Sequence, residues 1–177
     1  MTRPSLANRI YAKSVFYPTL GWNMLLGRVL KVRNWYDFID DHVIVGARPF
    51  ARDVAGLSNA GVKAVVNTCE EYAGPVTEYG QHEIEQLHIP TVDFMPPSLE
   101  SIQQSVAFVQ KHVEQNNTVY IHCKAGRARS ATVALCWLVA HRGMTAESAQ
   151  ARLLEKRPHV HPRLPERQVV KDFVATR

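Results

Sequence analysis

Apolar residues change their spacing several times along the chain, and each spacing predicts a different kind of element. The clearest helix follows Ser98, which is a good N-cap residue. Apolar residues then recur at spacings of three and four, as they do on one face of a helix. They are Leu99, Ile102, Val106, Val109 and Val113. Short β-branched runs elsewhere in the chain predict buried strands.

The predicted strands and helices alternate along most of the chain. Strands are expected at 37–39, 42–45, 62–67, 88–92 and 118–122. Helices are expected at 50–60, near 78–87, from 98 to about 115, at 131–141, at 145–156 and from Pro165 onward. This alternation predicts an α/β fold, with a central, mainly parallel sheet flanked by helices on both faces.

The composition is that of an ordinary globular protein. The chain has 177 residues, of which 46% are hydrophobic and 21% are charged. These values exclude a disordered tail, a collagen-like fibre and a polytopic membrane protein. The three cysteines, Cys69, Cys123 and Cys136, form no CxxC pair, so a disulfide scaffold and a zinc ribbon are also excluded.

Positive charge is concentrated at the N-terminus. Residues 1–36 hold six Lys and Arg and no Asp or Glu, whereas the rest of the chain has 15 basic and 16 acidic residues. The formal net charge of +5 therefore belongs to one end, which argues against a nucleic-acid partner. We divide the chain into a basic, aromatic N-terminal segment, residues 1–34, and a single domain, residues 35–177.

Within the N-terminal segment, residues 14–27 carry no charge: SVFYPTLGWNMLLG. This run is shorter than the roughly 20 residues that span a bilayer, and Pro18 and Asn23 interrupt it. Aromatic and aliphatic residues with basic flanks suit a segment that lies on an anionic membrane surface. The alternative is a strap packed over the core of the domain, and both interpretations can hold together.

The stretch that carries chemistry is HCKAGRARS, residues 122–130, between a predicted strand and a predicted helix. Backbone N–H groups at a helix start are unpaired and positively polarised, so a tight loop that leads into the helix can bind a tetrahedral oxyanion. Gly126 lets this loop curl, and Arg129 can direct two N–H donors at two oxygens. The same positive environment lowers the pKa of Cys123 and favours its thiolate.

These residues resemble the signature of the cysteine-dependent protein-tyrosine phosphatase superfamily, HCxxGxxR followed by Ser or Thr. The resemblance implies a dual-specificity-phosphatase-like fold in which Cys123 attacks phosphorus and forms a phosphocysteine. Arg129 and the loop amides would bind the phosphate oxygens, while Ser130 would hydrogen-bond the thiolate. His122 would hold the loop from behind through its ring nitrogens. The remaining loop residues are Lys124, Ala125, Gly126, Arg127 and Ala128. No metal and no cofactor are expected.

The leaving oxygen needs a proton donor, and Asp93 is the candidate. It follows the strand predicted at 88–92 and precedes Met95, Pro96 and Pro97. In the superfamily the general acid lies on such a loop, upstream of the cysteine. The alternative is an aspartate that caps a helix or orders the loop. Since Cys123 must be ionised while Asp93 is protonated, we expect a bell-shaped pH–rate profile.

Shorter pieces narrow the resemblance to the mitochondrial PTP-type phosphatidylglycerophosphate phosphatases and their bacterial and plant relatives. They are FYPTL at 16–20, WY at 35–36, ID at 39–40, GA at 46–47, EEY at 70–72, TVD at 91–93 and HCKAGR at 122–127. This family implies an anionic phospholipid substrate, phosphatidylglycerophosphate, dephosphorylated to phosphatidylglycerol on the way to cardiolipin. The chain departs from the family pattern at Ala128, where serine is common, and cannot be aligned with it over 73–86.

Lys124 and Arg127 add two cations to the loop beside Arg129. Phosphoinositide-type phosphatases resemble the chain in this respect, and three cations suit a headgroup with more than one phosphate. The alternative is that both side chains point into solvent. A phosphoinositide phosphatase is therefore one alternative function. A dual-specificity protein phosphatase acting on phosphotyrosine or phosphothreonine is another, because its chemistry would be identical.

The residues after the third predicted strand give two further hypotheses. Glu70, Glu71 and Tyr72 belong to the active-site rim in this family, although carboxylates repel a phosphate. They would orient Arg129 or recognise glycerol hydroxyls, or else form a solvated loop without a role. In related lipid phosphatases a cysteine at the position of Cys69 can approach the nucleophile. We expect mild peroxide to join Cys69 to Cys123 in a reversible disulfide.

The compartment depends on the organism. The acid-poor N-terminal segment predicts membrane association in either case. In a eukaryote we expect the matrix side of the mitochondrial inner membrane, and in a bacterium the cytoplasmic membrane.

Overall fold

The computed structural model describes residues 6–30 and 32–177, without the side chains at 7–9, 11–13, 16–17 and 23. Several residues of the N-terminal segment are affected. Residues 1–5, Lys31 and the side chains of Phe16 and Tyr17 lie outside the described part of the chain. The predictions that depend on these residues therefore remain predictions.

A five-stranded sheet forms the centre of the fold. Its strands are β1 (Tyr36–Phe38), β2 (Val43–Gly46), β3 (Val62–Cys69), β4 (Glu85–Thr91) and β5 (Thr118–His122). They lie in the order β1-β2-β5-β3-β4, and β1 is antiparallel to β2 while the other three pairs are parallel. The prediction of an α/β fold with a mainly parallel sheet is confirmed.

Seven α-helices connect or flank the strands in the described part of the chain. They are α1 (Leu6–Met24), α2 (Val54–Asn59), α3 (Val76–Gln81), α4 (Leu99–Glu114), α5 (Arg129–His141), α6 (Ala146–Lys156) and α7 (Gln168–Ala175). A π-helical turn, Leu25–Val29, continues α1, and a 3-10 turn, Ala51–Asp53, precedes α2. The predicted N-caps are present, since Ser98 Oγ accepts a hydrogen bond from Ser101 N at 3.1 Å and Thr145 Oγ1 accepts one from Ser148 N at 3.2 Å.

Three predicted boundaries are wrong. The helix expected near 78–87 ends at Gln81, and β4 begins at Glu85 rather than at 88. β4 is the edge strand beside β3, so its outer residues face solvent and its first part is polar enough to resemble a helix surface. The last helix begins at Gln168, because Pro165 lies in a separate turn in which Arg167 N donates to Leu164 O at 3.1 Å.

The sheet separates two apolar layers. On one face the side chains of α4, α5, α6 and α7 pack against alternate strand residues such as Val119 and Ile121. On the other face α2 and α3 pack against a smaller cluster that includes Tyr120. β5 is the middle strand and is buried along its whole length. The loop that follows β5 therefore begins at the centre of the carboxyl edge of the sheet, where ligands of parallel sheets bind.

The N-terminal segment contacts the domain near its end. Leu20 is buried, and the Arg28 guanidinium forms two hydrogen bonds with the Asp53 carboxylate while lying 4.2 Å from the centre of the Trp35 ring. These contacts agree with a strap over the domain. No helix in the described part of the chain is both long and apolar enough to cross a bilayer.

Candidate active site

Cys123 lies directly after β5, and the loop of residues 123–128 leads into the first turn of α5. The loop is tight because Gly126 has a φ of +66°, in the left-handed region that favours glycine. A Cβ at Gly126 would also lie 2.5 Å from the main chain of Gly46 and 2.8 Å from Arg157 Nη2. Only glycine fits at this position, as the sequence predicted.

A buried arginine, Arg157, supports the loop from behind. Its Nε donates to Gly126 O at 2.8 Å, its Nη2 donates to Ala125 O at 3.2 Å, and its Nη1 donates to Asp37 Oδ2 at 2.5 Å. The side chain is 1% exposed. Sequence analysis missed Arg157, because a basic residue after a helix is usually solvated and nothing in the sequence marks this one as buried.

The environment of Cys123 favours a thiolate. Burial alone would raise the pKa of Cys123, but the charge of Arg129 opposes this effect. The Ser130 hydroxyl, whose Oγ lies 3.3 Å from Cys123 Sγ, and the amides of Ser130 and Arg127 act in the same direction. Together they lower the pKa of Cys123 to about 7. A large share of the sulfur is therefore ionised at neutral pH.

Arg129 is fixed by one acceptor at the end of β4 and one in the turn that follows β3. Its Nη1 donates to Thr91 O at 2.6 Å and to Glu71 Oε2 at 2.9 Å. Nε and Nη2 have no hydrogen-bond acceptor among the described residues, although Nη2 lies 3.0 Å from Asp93 Oδ1 as an ion pair. Two buried donors thus remain for an oxyanion, in the fork that suits two phosphate oxygens.

The structure brings Asp93 into the same pocket. Its carboxylate accepts a hydrogen bond from Lys124 Nζ and is ion-paired with Arg129, while Phe94 N donates to Oδ1 at 3.1 Å. Glu71 joins the acid to the arginine, because Glu71 Oε1 accepts from Asp93 N at 3.0 Å and Oε2 accepts from Arg129. Glu71 is therefore placed to orient both groups, one of the alternatives that the sequence left open.

Lys124 and Arg127 have different surroundings. Lys124 is 6% exposed, and its Nζ donates to Thr19 Oγ1 of α1 at 2.7 Å as well as to Asp93. Arg127 is exposed, and its Nε donates to His159 O at 2.8 Å. Lys124 thus points into the pocket and away from solvent, whereas Arg127 lies at its rim.

His122 is buried directly behind the loop, and its role in holding the loop remains a prediction. The ring lies near the Cys123 main chain, but neither nitrogen meets an acceptor or donor of the described residues at normal hydrogen-bond geometry. Burial lowers the pKa of His122 to about 3, so the ring is neutral. It packs edge-on against Tyr72 and at a tilt against Tyr120, and Arg157 provides further hydrogen bonds to the loop.

The remaining predicted residues surround this centre. Tyr72 donates its hydroxyl to Pro49 O at 2.6 Å and lies under the Arg48 guanidinium, while Glu70 is half-buried next to Glu71. Cys69 is buried at the end of β3, and burial raises the pKa of its thiol, so it stays protonated. The Cys69–Cys123 disulfide remains a prediction.

A cavity of about 320 Å³ contains Cys123, Arg129, Asp93 and Ala128 in its lining. Sequence analysis missed several of its walls, which are Thr19, Trp22, Arg33, Phe94 and His161. Trp22 and Phe94 are 62% and 59% exposed, so the mouth of the cavity is apolar while its floor is cationic. The arrangement can hold a tetrahedral dianion against a thiolate, with a carboxyl group at the opening.

Comparison with known proteins agrees with this chemistry. Residues 43–173 match the model of the dual specificity phosphatase catalytic domain. The chain is 39% identical to phosphatidylglycerophosphate phosphatase PTPMT2 of Arabidopsis thaliana, over 90% of this chain and 71% of the relative. It is 32% identical to the human phosphatidylglycerophosphatase and protein-tyrosine phosphatase 1, over 98% of this chain and 90% of the relative. Among solved structures it resembles PTPMT1 in complex with PI(5)P, with a TM-score of 0.74 and 31% identity over 81% of this chain and 96% of that one.

Replacing Arg157, which we call the buttress of the loop, tests its importance for the loop. In Arg157→Met the Asp37 carboxylate, largely buried, loses its cation, and breaking a buried ion pair from one side costs about 3–5 kcal/mol. We expect denaturant unfolding to show this loss and kcat on para-nitrophenyl phosphate to fall, since two loop carbonyls lose their donor. Arg152→Met, a partly exposed position on α6, is the control and should change stability by less than about 0.5 kcal/mol. Equal stability and kcat in the two variants would contradict the buttress.

Proposed function

The chain belongs to the family of dual specificity phosphatase catalytic domains, and from that premise we propose that this cysteine-based phosphatase removes the terminal phosphate of phosphatidylglycerophosphate. The product would be phosphatidylglycerol, on the way to cardiolipin. The observation that carries the proposal is the pocket itself, which combines a cationic floor with an apolar, exposed mouth formed by Trp22 and Phe94. The cationic floor would bind the phosphomonoester of a membrane lipid, and the apolar mouth would contact the lipid that carries it. The names of the plant and human relatives support the same substrate.

The first step would use Cys123 and Asp93 together. The thiolate attacks phosphorus, so that an S–P bond forms while the P–O ester bond breaks. Asp93, protonated, gives its proton to the leaving glycerol oxygen. Arg129 and the loop amides bind the three equatorial oxygens, on which the charge lies in the transition state.

The second step would return the enzyme to its starting state. Asp93, now a carboxylate, takes a proton from water as the water oxygen attacks phosphorus. The S–P bond breaks and releases phosphate, and Ser130, 3.3 Å from the sulfur, stabilises the departing thiolate by a hydrogen bond. Glu71 positions Arg129 and Asp93 through its two oxygens in both steps.

Substrate binding would also change the contacts of Asp93. In the structure its carboxylate is paired with Lys124 and Arg129. A phosphate dianion would compete for these two cations. Binding would thereby release the Asp93 carboxyl group from its ion pairs, toward the leaving oxygen.

A direct substrate comparison tests the proposed activity. We expect kcat/KM for phosphatidylglycerophosphate in mixed micelles to exceed that for phosphotyrosine peptides by at least about tenfold, which is about 1.4 kcal/mol of transition-state binding. Cys123→Ser should abolish turnover of both, and Asp93→Asn should lower kcat and remove the alkaline limb of the pH profile. A higher kcat/KM on the peptides would favour the dual-specificity protein phosphatase instead.

The N-terminal segment supplies a second part of the proposal, a membrane surface contact. Leu6 and Ile10 lie one helical turn apart on α1 and are 74% and 60% exposed. Leu30 and Val32, beyond the π-helical turn, are also exposed. Together with the positive charge of residues 1–36, these apolar groups suit an anionic membrane, and Thr19 and Trp22 of the same helix face the catalytic cavity.

Loss of the exposed apolar groups should therefore weaken membrane binding. In Leu6→Ser/Ile10→Ser we expect co-sedimentation with phosphatidylglycerol-containing vesicles to fall about tenfold or more, since each buried side chain contributes roughly 1.5–3 kcal/mol. The control is Val76→Ser/Val174→Ser, which removes two exposed apolar residues outside the segment. Equal sedimentation of the two double variants would show that the segment acts only as a strap.

A further inference from the structure

A second cavity adjoins the catalytic one. Its volume is about 600 Å³, and it lies between the residues that follow the π-helical turn and those that follow α6. Arg33 and Arg127 line both cavities, so their side chains form the boundary between them. No function described so far uses this second cavity, which we name the side cleft.

The lining of the side cleft is strongly cationic. It includes Arg33, Arg127 and Lys156, and its one carboxylate belongs to Asp37. That carboxylate is already satisfied, because Arg157 Nη1 lies 2.5 Å from Oδ2 and Asn34 Nδ2 donates to Oδ1 at 2.7 Å. Lys156 has a weak ion pair with Glu155 at 3.4 Å. The side cleft therefore carries a net positive charge.

The two boundary arginines lack carboxylate partners. Within residues 6–30 and 32–177, no Asp or Glu oxygen lies within 4.0 Å of either guanidinium. The side chain of His159 lies between cations and adds no charge, because burial and then the charges of Arg157, Arg33 and Arg127 lower its pKa to about 3. Cations that line the same cleft repel one another, and an anion between them would relieve the repulsion.

We propose that Arg33, together with Arg127, binds a second phosphate group of the substrate molecule whose terminal phosphomonoester occupies the catalytic pocket. This inference rests on the proposed function, since phosphatidylglycerophosphate carries a phosphodiester as well as a phosphomonoester. Arg33 recognises the phosphodiester oxygens as the planar fork of an arginine recognises phosphate. Pro158 and Pro162 stiffen the facing wall, so little conformational freedom is lost on binding.

The substrate phosphate has to be distinguished from a neighbouring anion. A phosphate of an adjacent lipid or a free phosphate ion has the same chemistry, but it would not change the preference for one soluble substrate over another. The deacylated headgroup of phosphatidylglycerophosphate is water-soluble and keeps both phosphates. Para-nitrophenyl phosphate carries one phosphomonoester and no diester. The ratio of kcat/KM for these two substrates therefore isolates the side cleft from any membrane.

The test is this ratio in the full-length protein and in Arg33→Gln. We expect the ratio to fall about tenfold, through a higher KM for the headgroup, as for the loss of one hydrogen bond to a charged group. Arg33→Lys keeps the charge without the fork and should recover part of the ratio. Arg152→Gln makes the same change of charge outside both cavities and should leave the ratio at its original value.

A ratio that is the same in Arg33→Gln and the wild type would overturn the proposal. So would an Arg33 effect that appears only on anionic vesicles, because it would assign the side cleft to a neighbouring lipid. Glycerophosphoglycerol, the diester alone, gives a readout without turnover, and its inhibition constant should rise in Arg33→Gln. Failure of the proposed function is distinct, since it would appear in the wild type as a preference for phosphotyrosine peptides over the lipid substrate.

Discussion

A buried sulfur anion is the constraint on which the rest of this structure depends. Burial opposes ionisation of Cys123, and the surrounding positive charge must exceed that effect for the thiolate to exist near neutral pH. The guanidinium of Arg129, the Ser130 hydroxyl and the loop amides supply it. Each of these groups acts only if the loop keeps its shape, which is why Gly126 and the Arg157 buttress matter to the chemistry although neither touches the sulfur.

The same positive site is balanced by nearby carboxylates. Glu71 and Asp93 lie within 3.0 Å of the Arg129 guanidinium, and Lys124 is paired with Asp93. A carboxylate near a phosphate pocket is unfavourable when considered alone, as the sequence suggested for Glu71. Its contacts give the reason for its presence: it fixes the direction of Arg129 and leaves two other donors of that side chain for the ligand.

Local signals predicted the parts of the site that are contiguous in sequence. Cys123, Gly126, Arg129 and Ser130 follow from one loop between a strand and a helix, and Asp93 follows from its position after β4. Arg157, Thr19 and Arg33 could not be found in this way. Lys124 meets Thr19 across 105 positions of the chain, and Arg157 meets Asp37 across 120. Such contacts depend on how the elements pack, and single side chains carry no periodic signal for them.

The fold also has parts that the local sequence predicts and parts that depend on tertiary packing. The helix at 99–114 and the buried strands were predictable because burial imposes a period on their apolar residues. The start of β4 was not, since an edge strand with a solvated face carries polar residues such as Glu85 and Gln86. The surroundings of His122 were not predictable either, because its ring is enclosed by Tyr72 and Tyr120, which contact it only through the packing of the sheet.

The ionisation of Cys123 is the measurement that tests this account most directly. In a Cys69→Ser/Cys136→Ser background, the pH dependence of ultraviolet thiolate absorbance reports Cys123 alone, after subtraction of the spectrum of the triple variant that also lacks Cys123. The account predicts a midpoint at about pH 7, with the thiolate present above it and lost below it. Ser130→Ala should move the midpoint upward by about one unit, as expected for the loss of one hydrogen bond to the anion. A midpoint near that of an ordinary thiol, about 8.5, would contradict the central claim.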